Sequence, residues 1–130
     1  MKHYTVVAAI IRYEDRFLCM QRNTSKHAYL SYKYEFPGGK VEPGESNEAA
    51  LVREIKEELD LDISLEKQFL TVEHAYPDFS LTMHSFLCKA DSSSFTLKEH
   101  AGFRWLDKAA LKSLDWAAAD IPIVDKLMTA

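Results

Sequence analysis

The chain has 130 residues, 47% of them hydrophobic, enough for one domain with one core and too few for two ordinary domains. Its formal net charge of -4 lacks the clustered positive excess that duplex nucleic acid or an anionic membrane selects, so neither partner is expected. A small anionic ligand stays open, because a few local cations or a carboxylate-held metal ion can bind phosphates on an acidic protein.

Residues 5–12 and 17–22 are apolar and β-branched enough to be strands, with Glu14 and Asp15 in the turn between them. The apolar run Val6 to Ile11 is too short for a secretion signal, and charge follows it at once. No run reaches membrane-spanning length. Residues 23–31 read as a loop, and residues 34–36 as a short extended piece that breaks at Pro37-Gly38-Gly39. Residues 41–44 continue as loop with a turn at Pro43-Gly44. A helix follows, with Ser46 as N-cap, Glu48 in the first turn and an apolar stripe of Leu51, Val52, Ile55 and Leu59. It ends near Asp60. Residues 65–73 and 81–89 read as strands joined around Pro77-Asp78, and Asp91 to Ser94 as a loop. A short strand is expected at 103–106, a short helix from Asp107 through Leu114, and a last amphipathic helix at 121–128 with Pro122 in its first turn. This order predicts an α/β chain, a mixed sheet flanked by helices, as a single domain over residues 1–130. Cys19 and Cys88 sit far apart in apolar runs and read as reduced, buried thiols; a cytoplasmic location is the matching expectation.

The helix carries the chemistry. Glu54, Glu57 and Glu58 stand at i, i+3 and i+4, so three carboxylates share one face. Like charges at that spacing repel by roughly a few tenths of a kcal/mol, and acids in the last turn oppose the helix dipole by about 0.3–1 kcal/mol each. A bound divalent cation reverses both penalties, and clustered carboxylates suit Mg²⁺, with Mn²⁺ as a possible substitute. A plainly solvated acidic face is the competing reading of the helix alone. Upstream, Phe36-Pro37-Gly38-Gly39-Lys40 supplies glycines that admit close backbone approach and a cation. A phosphate chain bridged by metal between that segment and the helix is one coherent picture.

These residues resemble the Nudix box: Gly39, Glu45, Arg53-Glu54-Ile55, Glu57-Glu58, then Asp60-Leu61. Every fixed position fits except the glycine replaced by Asp60. The lead-in from Tyr34 to Glu42 and the tail from Leu114-Asp115-Trp116 to Ile121-Pro122-Ile123-Val124 are similar to the MutT-like branch, so the resemblance spans nearly the whole chain. It implies a Nudix α/β/α sandwich. It also implies metal ligation by Glu54, Glu57, Glu58 and the Gly38 carbonyl, with Arg53 orienting a box glutamate and Glu45, like Gly39, in a supporting role. By the same analogy Glu99 is a further metal ligand or candidate base, and Arg22 contacts phosphate with Lys40 nearby. The implied reaction is hydrolysis of a nucleoside triphosphate to monophosphate and pyrophosphate, with Glu54, Glu57 and Glu99 all open as the base. Asp60 is expected to end the helix in a left-handed conformation, which Asp tolerates far better than a β-branched residue.

In that branch a residue of the C-terminal segment reads the base, and the matching position is Asp120. An Asp there resembles cytidine-nucleotide pyrophosphohydrolases and some oxidised-purine enzymes. The alternative for Asp120 is a helix N-cap. Asp78 matches a substrate-side loop position, although an exposed loop acid is the simpler reading, and Phe36 is either a pocket wall or core. His27, His74, His84 and His100 read as loop or surface residues, His100 least securely because it follows Glu99. Trp105 and Trp116 read as packing residues. The expected substrate is an oxidised purine nucleotide such as 8-oxo-dGTP or a cytidine or modified-cytidine nucleotide, and the expected assembly a monomer or weak homodimer. A diphosphate-linked substrate such as ADP-ribose, or a ligand-binding module without turnover, are the rival readings.

Overall fold

Strand β1 (Lys2–Tyr13) sends Val7, Ala9 and Ile11 to one side and Ala8 and Ile10 to the other, all of them buried. Strand β2 (Arg16–Gln21) divides in the same way, with Leu18 and Met20 opposite Phe17 and Cys19. Central strands covered on both faces read as near-continuous apolar runs, and helices must then lie on both sides. The computed structural model describes residues 1–129 and has that architecture. The remaining strands are β3 (Tyr34–Glu35), β4 (Gly38–Lys40), β5 (Ile63–Ala75), β6 (Phe79–Ala90) and β7 (Gly102–Asp107). They form a seven-stranded mixed sheet in the order β3-β2-β1-β6-β5, with β4 on β1 and β7 on β2. Among the strand pairs of the described residues, β1–β6 alone is parallel. Helix α1 (Asn47–Leu59) covers one face and α2 (Ile121–Thr129) the other. No described helix is long and apolar enough to cross a membrane.

Helix α1 starts where Ser46 accepts the Ala49 N–H at 3.1 Å and ends at Asp60, whose φ of 51° and ψ of 43° are left-handed. Its buried stripe is Ala50, Leu51, Ile55 and Leu59; Val52, expected in the stripe, is exposed because its angular position falls beside the contact line. Each fully buried aliphatic contributes roughly 1.5–3 kcal/mol by removal from water. The two thiols lie free and buried on opposite faces of the sheet.

Two expectations are corrected. Residues 38–40, expected to break the chain, form β4: Gly38, Gly39 and Lys40 pair with Ala8, Val7 and Val6 of β1. A side chain at Gly38 would strike the Val7 carbonyl, so glycine is what lets this strand approach β1. The short helix after Asp107 is a 3₁₀ helix (Lys108–Ser113), capped by Asp107 on the Ala110 N–H, and a further 3₁₀ turn (Ala118–Asp120) runs directly into α2. The long strands β1, β5 and β6 extend past their expected ends because hydrogen-bond pairing continues through polar residues such as Lys2, His3, Ser64, His74 and Ser80, which interrupt the apolar signal.

Candidate active site

Helix α1 lies across β4 so closely that a side chain at Gly39 would collide with the Glu54 carboxylate. Arg53 gathers the acids around it. It donates to both oxygens of Glu45, Nε at 2.7 Å and Nη2 at 2.9 Å, and through Nη1 to Glu54 at 3.1 Å and Glu57 at 3.2 Å. Nη2 also reaches the Lys40 carbonyl at 3.2 Å, tying the helix to β4. The two-toothed contact matches guanidinium to carboxylate geometry. Hydrogen bonding to Arg53, helped by the Glu42 N–H, pulls the Glu45 carboxyl down to about 2. Glu54 is shifted the other way, because burial outweighs its contact with Arg53.

Glu58 is different. It has no bond to Arg53, and its Oε2 is buried without a partner. Burial, joined by the charges of Glu54, Glu35 and Glu99 and opposed by His100, pushes its carboxyl up to about 7. An orphaned acceptor beside further carboxylates is a donor set of hard oxygens, which fits a divalent cation such as Mg²⁺ or Mn²⁺. Among the described residues no three His, Cys, Asp or Glu side chains already surround one point, since Glu54 and Glu57 are drawn to Arg53. Glu99, exposed on the loop before β7, lines the same cleft as Glu58.

That cleft has a volume of about 750 Å³ and runs from Gly38, Gly39 and Glu58 to Phe36 and Asp120. Arg22, at the end of β2, also lines it, but its Nη1 is paired with Glu35 at 2.9 Å and its Nε is buried with no partner. Lys40 stands over the Tyr4 ring at 4.2 Å on the rim. Phe36 is both wall and core: it lines the cleft while stacking on Trp116 at 4.7 Å. Asp120, 5% exposed, accepts the Phe36 N–H at 3.0 Å. Its carboxyl is turned to Phe36, just after β3, and lines the cleft. Burial, with the charge of Glu35, pushes its carboxyl up to about 8. At neutral pH such a group is largely protonated, able to donate one hydrogen bond and accept another. Asp78 is an exposed rim acid, as the simpler reading had it, but it is engaged: it takes the Tyr29 hydroxyl at 2.8 Å and lies 3.2 Å from His27.

Sequence reading missed the part played by four residues. Glu35 accepts from Arg22 and from His100, whose Nε2 lies 3.1 Å from it. His100 lies on a loop, as one of its two expected placements had it, but its side chain is only 8% exposed; the adjacent Glu99 was the one hint. His27 likewise lines the cleft, stacked on Tyr29. Tyr76, buried, accepts the Ala119 N–H through its hydroxyl at 3.0 Å and so holds the turn that carries Asp120. No local pattern marks a contact across that distance in sequence.

Residues 1–127 match the NUDIX domain, and the chain belongs to the Nudix family of hydrolases. It is 32% identical over 127 residues to the 8-oxo-dGTP diphosphatase of Escherichia coli (strain K12), covering 98% of each chain. It is 33% identical to the CTP pyrophosphohydrolase of the same organism, covering 98% of this chain and 93% of that one. Among solved structures it resembles the MutT protein from methicillin-resistant Staphylococcus aureus 252 (TM-score 0.76, 39% identity, 99% and 98% covered). It also resembles the Escherichia coli ORF135 protein (TM-score 0.81, 31% identity, 99% and 91% covered). Within the family, then, this enzyme is a hydrolase of the MutT-like branch.

Proposed function

We propose that this hydrolase is a Mg²⁺-dependent nucleoside triphosphate pyrophosphohydrolase of the cytoplasmic nucleotide pool, its whole machinery carried by one domain. Its substrate is an oxidised purine nucleotide such as 8-oxo-dGTP, or a cytidine or modified-cytidine nucleotide. The observation that carries this reading is the single cleft that joins Glu58 and the Gly38–Lys40 strand to a wall made of Phe36 and Asp120. Phosphates belong at the first end and a base at the second.

Glu54, Glu57 and Glu58, with Glu99 and the Gly38 carbonyl, would hold the cation. The bound metal supplies charge neutralisation for the phosphates and a more acidic water. Water's oxygen forms a new bond to phosphorus as a bridging P–O bond breaks, leaving monophosphate and pyrophosphate; a glutamate takes the water's proton. Arg53 holds Glu54 and Glu57 beside Glu45 on one side of the helix, from which they would turn to the cation. Gly39 leaves room for the Glu54 carboxylate against β4. Arg22 and Lys40 add positive charge toward the phosphate chain. Phe36 bounds the base, and Asp120, largely neutral, reads its edge with one donor and one acceptor.

Pyrophosphate release with Mg²⁺ tests this, comparing kcat/KM for 8-oxo-dGTP, dGTP, CTP, dCTP and 5-methyl-dCTP, with ADP-ribose as control. A strong preference within the triphosphates is expected and identifies the base. Turnover of ADP-ribose alone, or of nothing, would overturn the reading.

A further inference from the structure

Three buried side-chain atoms in the described residues lack a hydrogen-bond partner: Arg22 Nε, Glu58 Oε2 and His100 Nδ1. All three residues line the cleft. Buried polar atoms left unpaired are rare and costly, so three in one place mark ground prepared for something other than packing. His100 is central to the group. Its imidazole is more than nine-tenths buried, and its Nε2 lies 3.1 Å from one oxygen of Glu35. The other oxygen of Glu35 takes Arg22 Nη1 at 2.9 Å. An ionised carboxylate only accepts, so Nε2 carries the hydrogen in either charge state of the ring. The ring shares the cleft with Glu58, and each feels the other's charge. His100 thus faces both the Arg22–Glu35 pair on the β2–β3 wall and the acidic helix.

We propose that His100 is a positioning residue: by donating to Glu35 it locks the Arg22–Glu35 pair in place, so that a phosphate chain engaged by Arg22 lies in register with Glu58. The geometry favours this over a packing role. The His100–Glu35 bond joins the loop before β7 to β3, and these two elements share no strand pairing. A ring that merely filled space would satisfy its nitrogens or be replaced by carbon. The inference rests on the reading of Arg22 and Glu58 as phosphate-side groups.

Three variants test it: His100→Ala, His100→Gln, whose amide can replace the Nε2 donor, and Glu35→Ala, alone and combined with His100→Ala. Misalignment without loss of a binding group falls on kcat. With the preferred triphosphate, His100→Ala should lower kcat by about 10–100-fold and change KM by less than about threefold. His100→Gln should recover most of the loss, and the double variant should be no slower than Glu35→Ala. Equal damage from Ala and Gln, or additive effects of His100 and Glu35, would overturn the proposal. Independently of turnover, imidazole ¹⁵N spectra of the wild type should give a slowly exchanging Nε2–H on His100 that Glu35→Ala abolishes; a ring indifferent to Glu35 refutes the contact. If ADP-ribose is the substrate instead, the reading of the reaction fails, and the same kcat comparison on ADP-ribose decides the role of His100.

Discussion

The two ends of the cleft are built differently. At the phosphate end, Glu45, Arg53, Glu54 and Glu57 come from one loop and one helix, and Arg53 ties them together across at most eight positions of sequence. On the opposite side, Arg22, Glu35 and His100, which face the phosphates, and Asp120, which faces the base, come from the end of β2, β3, the loop before β7 and the turn before α2. The first end is fixed by local helix spacing and survives small shifts of the sheet. The second exists only when four distant segments pack correctly. Chemistry common to a family is economically kept at the local end. Selectivity, which must change between relatives, sits at the assembled end, where one substitution re-aims a wall.

The sharpest way to break this contrast is Glu58→Gln. The change neutralises the carboxylate whose Oε2 is buried without a protein partner, and kcat should fall by about three orders of magnitude, equivalent to about 4 kcal/mol of transition-state stabilisation. Folding should hold or improve, because Glu58 is a carboxylate disfavoured by burial and by the neighbouring charges of Glu54, Glu35 and Glu99. Steady-state kinetics with a thermal melt checks both. Retained kcat would mean that the acidic helix is only a solvated face.

Arg53→Ala comes next. It leaves every carboxylate of the phosphate end in place but unheld, and kcat should fall by about 10–100-fold, as for loss of a residue that orients ligands. It should also change acid stability. The Glu45 carboxyl is held down to about 2, so its contribution is complete above the ordinary carboxylate range near 4.5 and is lost as pH falls from there toward 2. Urea midpoints measured from pH 2 to 6 should show that acid limb in the wild type and a flatter one in the variant.

The contrast also explains what could be read from the chain. The N-cap at Ser46 was open in local spacing, while the left-handed end at Asp60 and the orienting role of Arg53 were carried by the resemblance to the Nudix box. The alternation that splits β1 and β2 between two cores was visible only as unbroken apolar runs, so sheet order was not. Strand β4 was hidden because glycines that signal a turn are here required by close approach to β1. His100 and Tyr76 were illegible for a stronger reason: each matters through a single bond to a residue 65 or 43 positions away.

Asp120→Asn perturbs the base end alone. The order of preference among triphosphates should change by about tenfold, on the scale of 1–3 kcal/mol for a mismatched buried hydrogen bond, with kcat on a good substrate little altered. An unchanged ranking would remove Asp120 from base reading. Stability supplies a second check. A carboxyl raised to about 8 in the folded chain, from 3.8 when unfolded, holds a proton that the unfolded chain has released. Between those values the folded state binds more protons, so stability falls as pH rises from about 4 to about 8. Asparagine does not titrate, and its melting curve should lose that decline.

The smallest effect belongs to Asp60→Gly, which restores the residue common in the box. Asp60 holds φ at 51°, a region that costs an L-residue about 1–2 kcal/mol and Asp somewhat less, while glycine enters it freely. Against that gain stands the loss of an exposed, solvent-screened Lys56–Asp60 ion pair at 3.2 Å, which contributes little. Lys56 keeps Asp62 at 3.4 Å, so little of that pair's value disappears. The balance should be a gain of roughly 0.5 kcal/mol in unfolding free energy, with kcat and base ranking unchanged. Asp60 closes α1 through its own N–H to the Lys56 carbonyl at 3.0 Å, a bond that glycine keeps. A drop in activity would mean that the helix end does more than stop the helix, and that the phosphate end depends on its last turn as well as on Arg53.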